Sequence, residues 1–249
     1  MSEFVITQRE GAILHLRLNR ANKKNALTQD MYQALLDGVN TAEADPSVQA
    51  VVFSGAGDAF CAGNDLGDFL RHGELTPQAP VFKLLKRLPE LTVPLVASVQ
   101  GAAIGIGTTL LMHCDIIYAA EDAVFALPFV DLALVPEAGS SLLLPQIAGY
   151  PKAAELLLLG ESFDASQALA MGLINRVVPL NALQSATAEV ADKLASKPPQ
   201  ALRRSKQLLK TPTESTAVRI ERELEIFMQA LASDEAQQVI AAKAKKKSA

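Results

Sequence analysis

Residues 91–112 carry no charged side chain, and this run restricts the fold more than any other feature of the chain. A helix crosses a bilayer with about 20 predominantly apolar residues, so by count alone the run could span a membrane. Its composition argues otherwise. Pro94, Ser98, Gln100, Thr108 and Thr109 interrupt it, and Gly101, Gly105 and Gly107 favour a strand, a turn and a buried helix start. The run therefore reads as the interior of an α/β fold, with no membrane span. The composition is consistent with that: 249 residues, 49% hydrophobic and 20% charged, enough to bury a sizeable core. Intrinsic disorder is excluded. A formal net charge of -4 also argues against a protein whose main task is to neutralise phosphate backbones.

Along the chain, residues 4–18 read as two strands around Glu10 and Gly11, with Leu14, Leu16 and Leu18 alternating with His15 and Arg17. Thr28 is the expected N-cap of a helix that presents Met31, Leu35, Val39 and Ala42 on one face and ends before Pro46. Residues 48–54 read as a buried strand, and 95–99 as another that leads into Gly101 and a helix reaching about His113. Short strands are expected at 116–118 and 124–125. A helix-rich half begins near Pro151, with a capping-box start at Asp164 and Gln167 and a C-terminal cap at Gly172. Residues 200–242 read as packed helices, followed by a basic, frayed tail.

Cys61 and Cys114 show neither metal-ligand spacing nor a disulfide framework, and read as small buried hydrophobes in a reducing compartment. The start of the chain lacks the cationic and apolar regions of a signal peptide, and its Lys-Ser-Ala end is not a peroxisomal address. The expected location is the cytoplasm.

Three segments place backbone or a lone acid where a ligand could approach. Residues 60–66 (FCAGNDL) follow a strand and a glycine loop, and Gly63 permits a tight turn beside the small Ala62. Residues 101–107 (GAAIGIG) open the second, and N–H groups at a helix start suit a developing anion. In residues 134–141 (LVPEAGSS), Glu137 is the one carboxylate in a largely apolar stretch. Desolvation there would raise its pKa toward neutrality, as a proton-exchanging group requires, although the spacing reads equally well as a helix N-cap or first-turn residue.

As a set these segments resemble the enoyl-CoA hydratase/isomerase, or crotonase, superfamily. The resemblance extends over Asn19-Arg20, Asn25-Ala26-Leu27, Ala62 to Leu66, Gly101 to Gly107, Cys114 to Ala119, Gly172-Leu173-Ile174 and Val177-Val178-Pro179. It implies an α/β spiral of repeated β-β-α units as an acyl-CoA-binding core over residues 1–199, with a helical region over 200–249 that packs the chain into a homotrimer or a dimer of trimers. It also implies acyl-CoA thioesters as substrates, coenzyme A entering as part of the substrate, no separate cofactor and no metal. By position, the backbone N–H groups of Asn64 and Ile106 form an oxyanion hole, flanked by Ala62, Gly63, Asp65, Leu66, Gly105 and Phe129 as substrate-binding residues. Ile106, where many relatives have glycine, is expected to narrow the acyl space.

Hydratases of the family hold water with two glutamates. The aligned positions here are Thr109 and Phe129, neither of which is a useful base. Glu137 instead stands where the peroxisomal-type Δ3,Δ2-enoyl-CoA isomerases carry their single glutamate. The resemblance therefore implies one-carboxylate isomerisation, with Phe129 keeping the site dry. The alternatives are a hydratase with relocated acid and base, a hydrolase, or a non-catalytic acyl-CoA or RNA-binding member supported only by the basic tail. Asp65, Asp68 and Asp131 are next in line as bases. Residues 70–80 are expected to line the acyl pocket.

Overall fold

The computed structural model describes residues 3–72, 76–210 and 214–247. The expected hairpin forms from β1 (Val5–Glu10) and β2 (Ile13–Leu18), paired antiparallel with Glu10 opposite Ile13. Thr28 caps α1 (Gln29–Ala44) by accepting from the Met31 N–H, and the buried face includes Met31, Tyr32, Leu35, Val39 and Ala42. There follow β3 (Ala50–Gly55), α2 (Leu66–His72), α3 (Pro80–Arg87) and β4 (Leu95–Val99).

The charge-free run departs from its expected course. After β4 it forms a short strand, β5 (Ala102–Ile104), then one turn of helix, α4 (Ile106–Thr109), and a 3-10 turn at Leu110–His113. Next come β6 (Ile116–Ala120) and β7 (Val124–Ala126). The cause is long-range. β5 pairs in parallel with β7, and Ala103 also bridges Cys61, so the backbone of 102–104 is satisfied by passes of chain distant in sequence.

The remaining elements are α5 (Ser140–Ala148), α6 (Tyr150–Leu159), β8 (Phe163–Asp164), α7 (Ala165–Ala170), β9 (Arg176–Val178), α8 (Leu180–Ala195), α9 (Pro199–Lys210), α10 (Thr216–Leu231) and α11 (Asp234–Lys247). Asp164 and Gln167 form the expected capping box of α7, and Gly172, at φ 84°, stands just past its C-cap Met171.

Two sheets result, one in the order β1-β2-β3-β4-β6-β9 and one in the order β5-β7-β8. The chain passes from β4 in the first to β5 in the second, and from β6 to β7 in the same way, so each turn of a spiral contributes to both. Both faces of the larger sheet's central strands β3 and β4 are covered, which is why these two are almost wholly apolar. Val51 and Phe53 face the main core, whereas Val52 and Val96 turn to the other side and meet Ala191 of α8. Spiral turns approach closely enough to demand glycine at Gly101, where φ is 53° and an added Cβ would lie 1.9 Å from the Asp58 carbonyl oxygen.

The last helices divide. α9 is fastened by two cations: the half-buried Arg203 donates to the carbonyls of Ala42, Asp45 and Val48, and the buried Lys206 pairs with Asp115 at 2.7 Å. α10 touches α9, where Arg219 donates to the Leu208 carbonyl, and α11, but it buries no residue. Its apolar residues, among them Ile220, Leu224 and Phe227, remain exposed. The basic tail is helical through Lys247 instead of frayed, and residues 248–249 lie outside the described residues, as do 73–75 of the segment expected to line the acyl pocket. Among the described residues, no helix is long and apolar enough to cross a membrane.

Candidate active site

The bridge between Cys61 and Ala103 aligns two successive turns of the spiral. Asn64 and Ile106 each lie three residues beyond that bridged pair, which brings the two candidate N–H donors onto neighbouring passes. Asn64 bridges Leu27 in parallel register: Leu27 N–H donates to the Gly63 carbonyl, and Asp65 N–H donates to the Leu27 carbonyl. That pattern turns the Asn64 N–H away from Leu27. Ile106 opens α4, so its N–H lacks an intrahelical acceptor. Among the described residues neither N–H has a hydrogen-bond partner. The turns must touch for this to happen, and a Cβ on Gly107 would fall 2.4 Å from the Cys61 carbonyl oxygen.

The residues of the resemblance account for this geometry. Asn25, fully buried, donates to the carbonyls of Ala56 and Ala59 and accepts from the Arg20 N–H, tying the loop after β3 to the start of the chain. Ala62 N–H donates to the Lys24 carbonyl. Asp65 forms a 2.7 Å ion pair with Arg20, which holds its carboxyl below the usual carboxylate range, so it serves the loop as a clip. Asp68 accepts from the Gln29 N–H and pairs with Arg71. Leu66 begins α2 and is half exposed. Gly105 N–H donates to the Ala126 carbonyl, fixing α4 against β7.

Glu137 is not a helix cap. The residue before α5 is Gly139, which makes no side-chain cap, and the Glu137 carboxyl instead reaches α4 and accepts a hydrogen bond from the Thr109 hydroxyl. Ala138 and Gly139 follow in the left-handed region, at φ 53° and 72°, and reverse the chain so that Ser140 N–H and Oγ close on the Glu137 carbonyl. Such a conformation is uncommon for a residue with a Cβ. The Ala138 carbonyl also meets His113 Nε2 at 2.8 Å. Burial pushes the Glu137 carboxyl up to about 7, against the opposing pull of Thr109.

The shift has a consequence for stability. A carboxyl of ordinary value 4.5 raised to about 7 on folding is easier to bury protonated, so the native state loses stability as pH rises across that interval. Glu137→Gln removes the titration. Denaturant unfolding at about pH 5 and about pH 8 should show the variant gaining up to about 3 kcal/mol on the wild type between the two. An equal difference at both pH values would refute the shift.

Three of the expectations need correction or extension. Ile106 does not narrow an acyl space: its side chain is 1% exposed and faces the core around Leu18, Leu27, Leu35 and Phe60. The ring of Phe129 is likewise in the main core. Thr109 enters as a partner of Glu137 although it is no base. Tyr32, fully buried on α1, donates its hydroxyl to Asn64 Oδ1 and so braces the candidate oxyanion loop. A tyrosine within an apolar helix face gives no signal of this in sequence.

Beside Ala138 and Gly139, a cavity of about 1040 Å³ is lined by apolar residues such as Phe82, Met112 and Leu142 and by the polar Lys86, His113 and Lys210. Its walls come from α3, the turn after α4, α5 and the end of α9. Among the described residues no three His, Cys, Asp or Glu side chains gather as metal ligands. The site thus combines two backbone N–H groups without a partner among the described residues, a buried carboxyl near neutrality and an adjoining cavity of mixed lining.

Comparison with known proteins places these features in a family. The enoyl-CoA hydratase/isomerase model matches residues 8–248. The chain is 34% identical over 235 residues to 1,2-epoxyphenylacetyl-CoA isomerase of Escherichia coli (strain K12), covering 90% of this chain and 89% of that one. It is 36% identical over 215 residues to enoyl-CoA delta isomerase 2 of Rattus norvegicus, covering 84% of this chain and 55% of that one. A solved structure from Magnetospirillum magneticum AMB-1, provisionally called an enoyl-CoA hydratase/carnithine racemase, superposes with a TM-score of 0.95 at 43% identity, over 99% of this chain and 97% of that one. These names span several reactions on acyl-CoA esters. With a match that runs almost from end to end, the chain belongs to the enoyl-CoA hydratase/isomerase family.

Proposed function

We propose that the protein is a Δ3,Δ2-enoyl-CoA isomerase that moves a double bond from position 3 to position 2 with one carboxylate. The observation that carries this reading is the environment of Glu137: a buried carboxyl near neutrality, held by Thr109, with no second carboxylate at the positions that align with the water-holding glutamates of hydratases. The reaction needs a base for the C2 proton and an acid for C4, on one face, and consumes no water. A single group of pKa about 7 can do both. Glu137 takes the C2 proton. The resulting dienolate oxygen is held by the N–H groups of Asn64 and Ile106, and protonated Glu137 then delivers to C4. The exposed apolar residues of α10 favour assembly of the chain with copies of itself, as a trimer or a dimer of trimers.

Product analysis tests the reaction. Incubated with a 3-enoyl-CoA, the protein should form the 2-enoyl-CoA, and with a 2-enoyl-CoA it should form little 3-hydroxyacyl-CoA. Strong hydration without isomerisation would replace this reading with that of a hydratase. Release of free coenzyme A as the main product would point to a hydrolase.

A further inference from the structure

We infer that Thr109 is a positioning residue for Glu137, its hydroxyl holding one carboxylate oxygen so that the other is presented for proton transfer, and supporting the charged carboxylate inside an apolar site. This deepens the proposed reading of Glu137 as the base and rests on it.

The argument begins with two adjacent threonines in α4, both fully buried. A buried hydroxyl on a helix usually satisfies itself on a nearby backbone carbonyl. Thr108 does so, donating to the carbonyls of Ala103 and Ala126. Thr109 does not. Its hydroxyl reaches across to Glu137 Oε1, linking a residue in the turn before α5 to the short helix that Ile106 opens. Thr109 lies three residues after Ile106, so one rigid turn carries both a candidate oxyanion donor and the anchor of the candidate base. Their relative position is set by the helix and not by the loop of residues 134–139.

The surroundings make this bond the main polar support of the carboxyl. No Lys or Arg pairs with Glu137 among the described residues. Tyr32 from α1 and Cys61 from the loop after β3 lie near enough to feel its charge. Burial raises the phenol well above its ordinary value and pushes the thiol up to about 12, so both stay neutral. Burial also lowers His113, on the Ala138 carbonyl, and leaves its imidazole uncharged near neutral pH. A cation in place of Thr109 would favour the anion so strongly that the carboxylate would be a feeble base. A second carboxylate there would disfavour it. A hydroxyl is intermediate, and it cannot itself activate water.

The test reads Glu137 directly. The protein is labelled with glutamate carrying carbon-13 at the side-chain carboxyl, and the Glu137 signal is assigned by its loss in Glu137→Gln. The expected midpoint of about 7 should rise by about one pH unit or more in both Thr109→Val and Thr109→Ala, and stay near the wild-type value in Thr109→Ser. The acid limb of kcat/KM for a 3-enoyl-CoA should move in parallel, with about a fivefold loss or more at neutral pH, mainly in kcat. A Glu137 midpoint unchanged in both hydroxyl-less variants overturns the inference, whatever reaction the enzyme performs. A midpoint that moves in a protein unable to isomerise 3-enoyl-CoA retains the role of Thr109 and discards the isomerase assignment. A merely structural threonine would lower activity at every pH and leave both midpoints in place.

Discussion

Replacing Glu137 by glutamine is expected to reduce isomerase turnover by about 10³ to 10⁴, the upper part of the range for general acid–base catalysis, because one group performs both proton transfers. Binding of a CoA ester should change little. Glutamine keeps the shape of the side chain, and its amide oxygen can still accept from Thr109, so the site should persist without its proton carrier. Single-turnover kinetics with a 3-enoyl-CoA, beside a binding titration with a saturated acyl-CoA, separates the two effects. A variant with near-wild-type rate would require another base. Asp65 is committed to Arg20, and Asp68 to the Gln29 N–H and Arg71, so the structure makes both poor replacements. For the wild type, activity should rise with pH through about 7 as the Glu137 carboxyl ionises, and this limb should be absent from the residual rate of the variant.

What could be read in sequence follows the range of the interaction behind each feature. The β1–β2 hairpin, the Thr28 cap and the Asp164–Gln167 capping box are written within a few residues, and all three form as expected. Glu137 was legible as a lone acid in an apolar stretch, a property of its immediate neighbours. The strand β5 was not legible. Residues 102–104 are extended because Cys61 and β7 supply hydrogen-bond partners, and nothing in a run of small apolar residues encodes them. Tyr32 escaped notice for the same reason: the Asn64 amide that accepts its hydroxyl is brought close by the bridge of Leu27 to Asn64. Ile106 shows a subtler failure. Alignment picks out its N–H as the candidate donor, but the direction of its side chain depends on the start of α4, which aims it into the core. Residues 200–242 read as packed helices, but helical sequence alone does not say whether the partner of an exposed apolar face lies in the same chain.

The second large effect concerns the backbone of Ile106, where ordinary mutagenesis does not reach because the side chain takes no part. Ile106→Pro removes the N–H alone among the proposed reacting groups. Proline is tolerated at the first position of a helix, where the missing donor bonds nothing within the helix. The preceding residue is normally restricted by a following proline to extended backbone. Gly105 lies at φ 55° and ψ -116°, the mirror image of that region, and without a Cβ it meets the ring no worse there than in the extended region itself. The variant should therefore fold, at a packing cost of about 1–3 kcal/mol for the smaller buried side chain. Ile106→Val, which keeps the N–H and loses one methylene, controls for that cost. Loss of one oxyanion donor typically lowers kcat by about 10² to 10³, and the proline variant should fall by this factor relative to the valine variant, with similar affinity for a saturated acyl-CoA. Circular dichroism and thermal unfolding establish that both are folded. If the two variants turn over 3-enoyl-CoA at comparable rates, the thioester oxygen is not held at Ile106. The alignment of Asn64 and Ile106 across the Cys61–Ala103 bridge would then be a property of the spiral alone, with no part in catalysis.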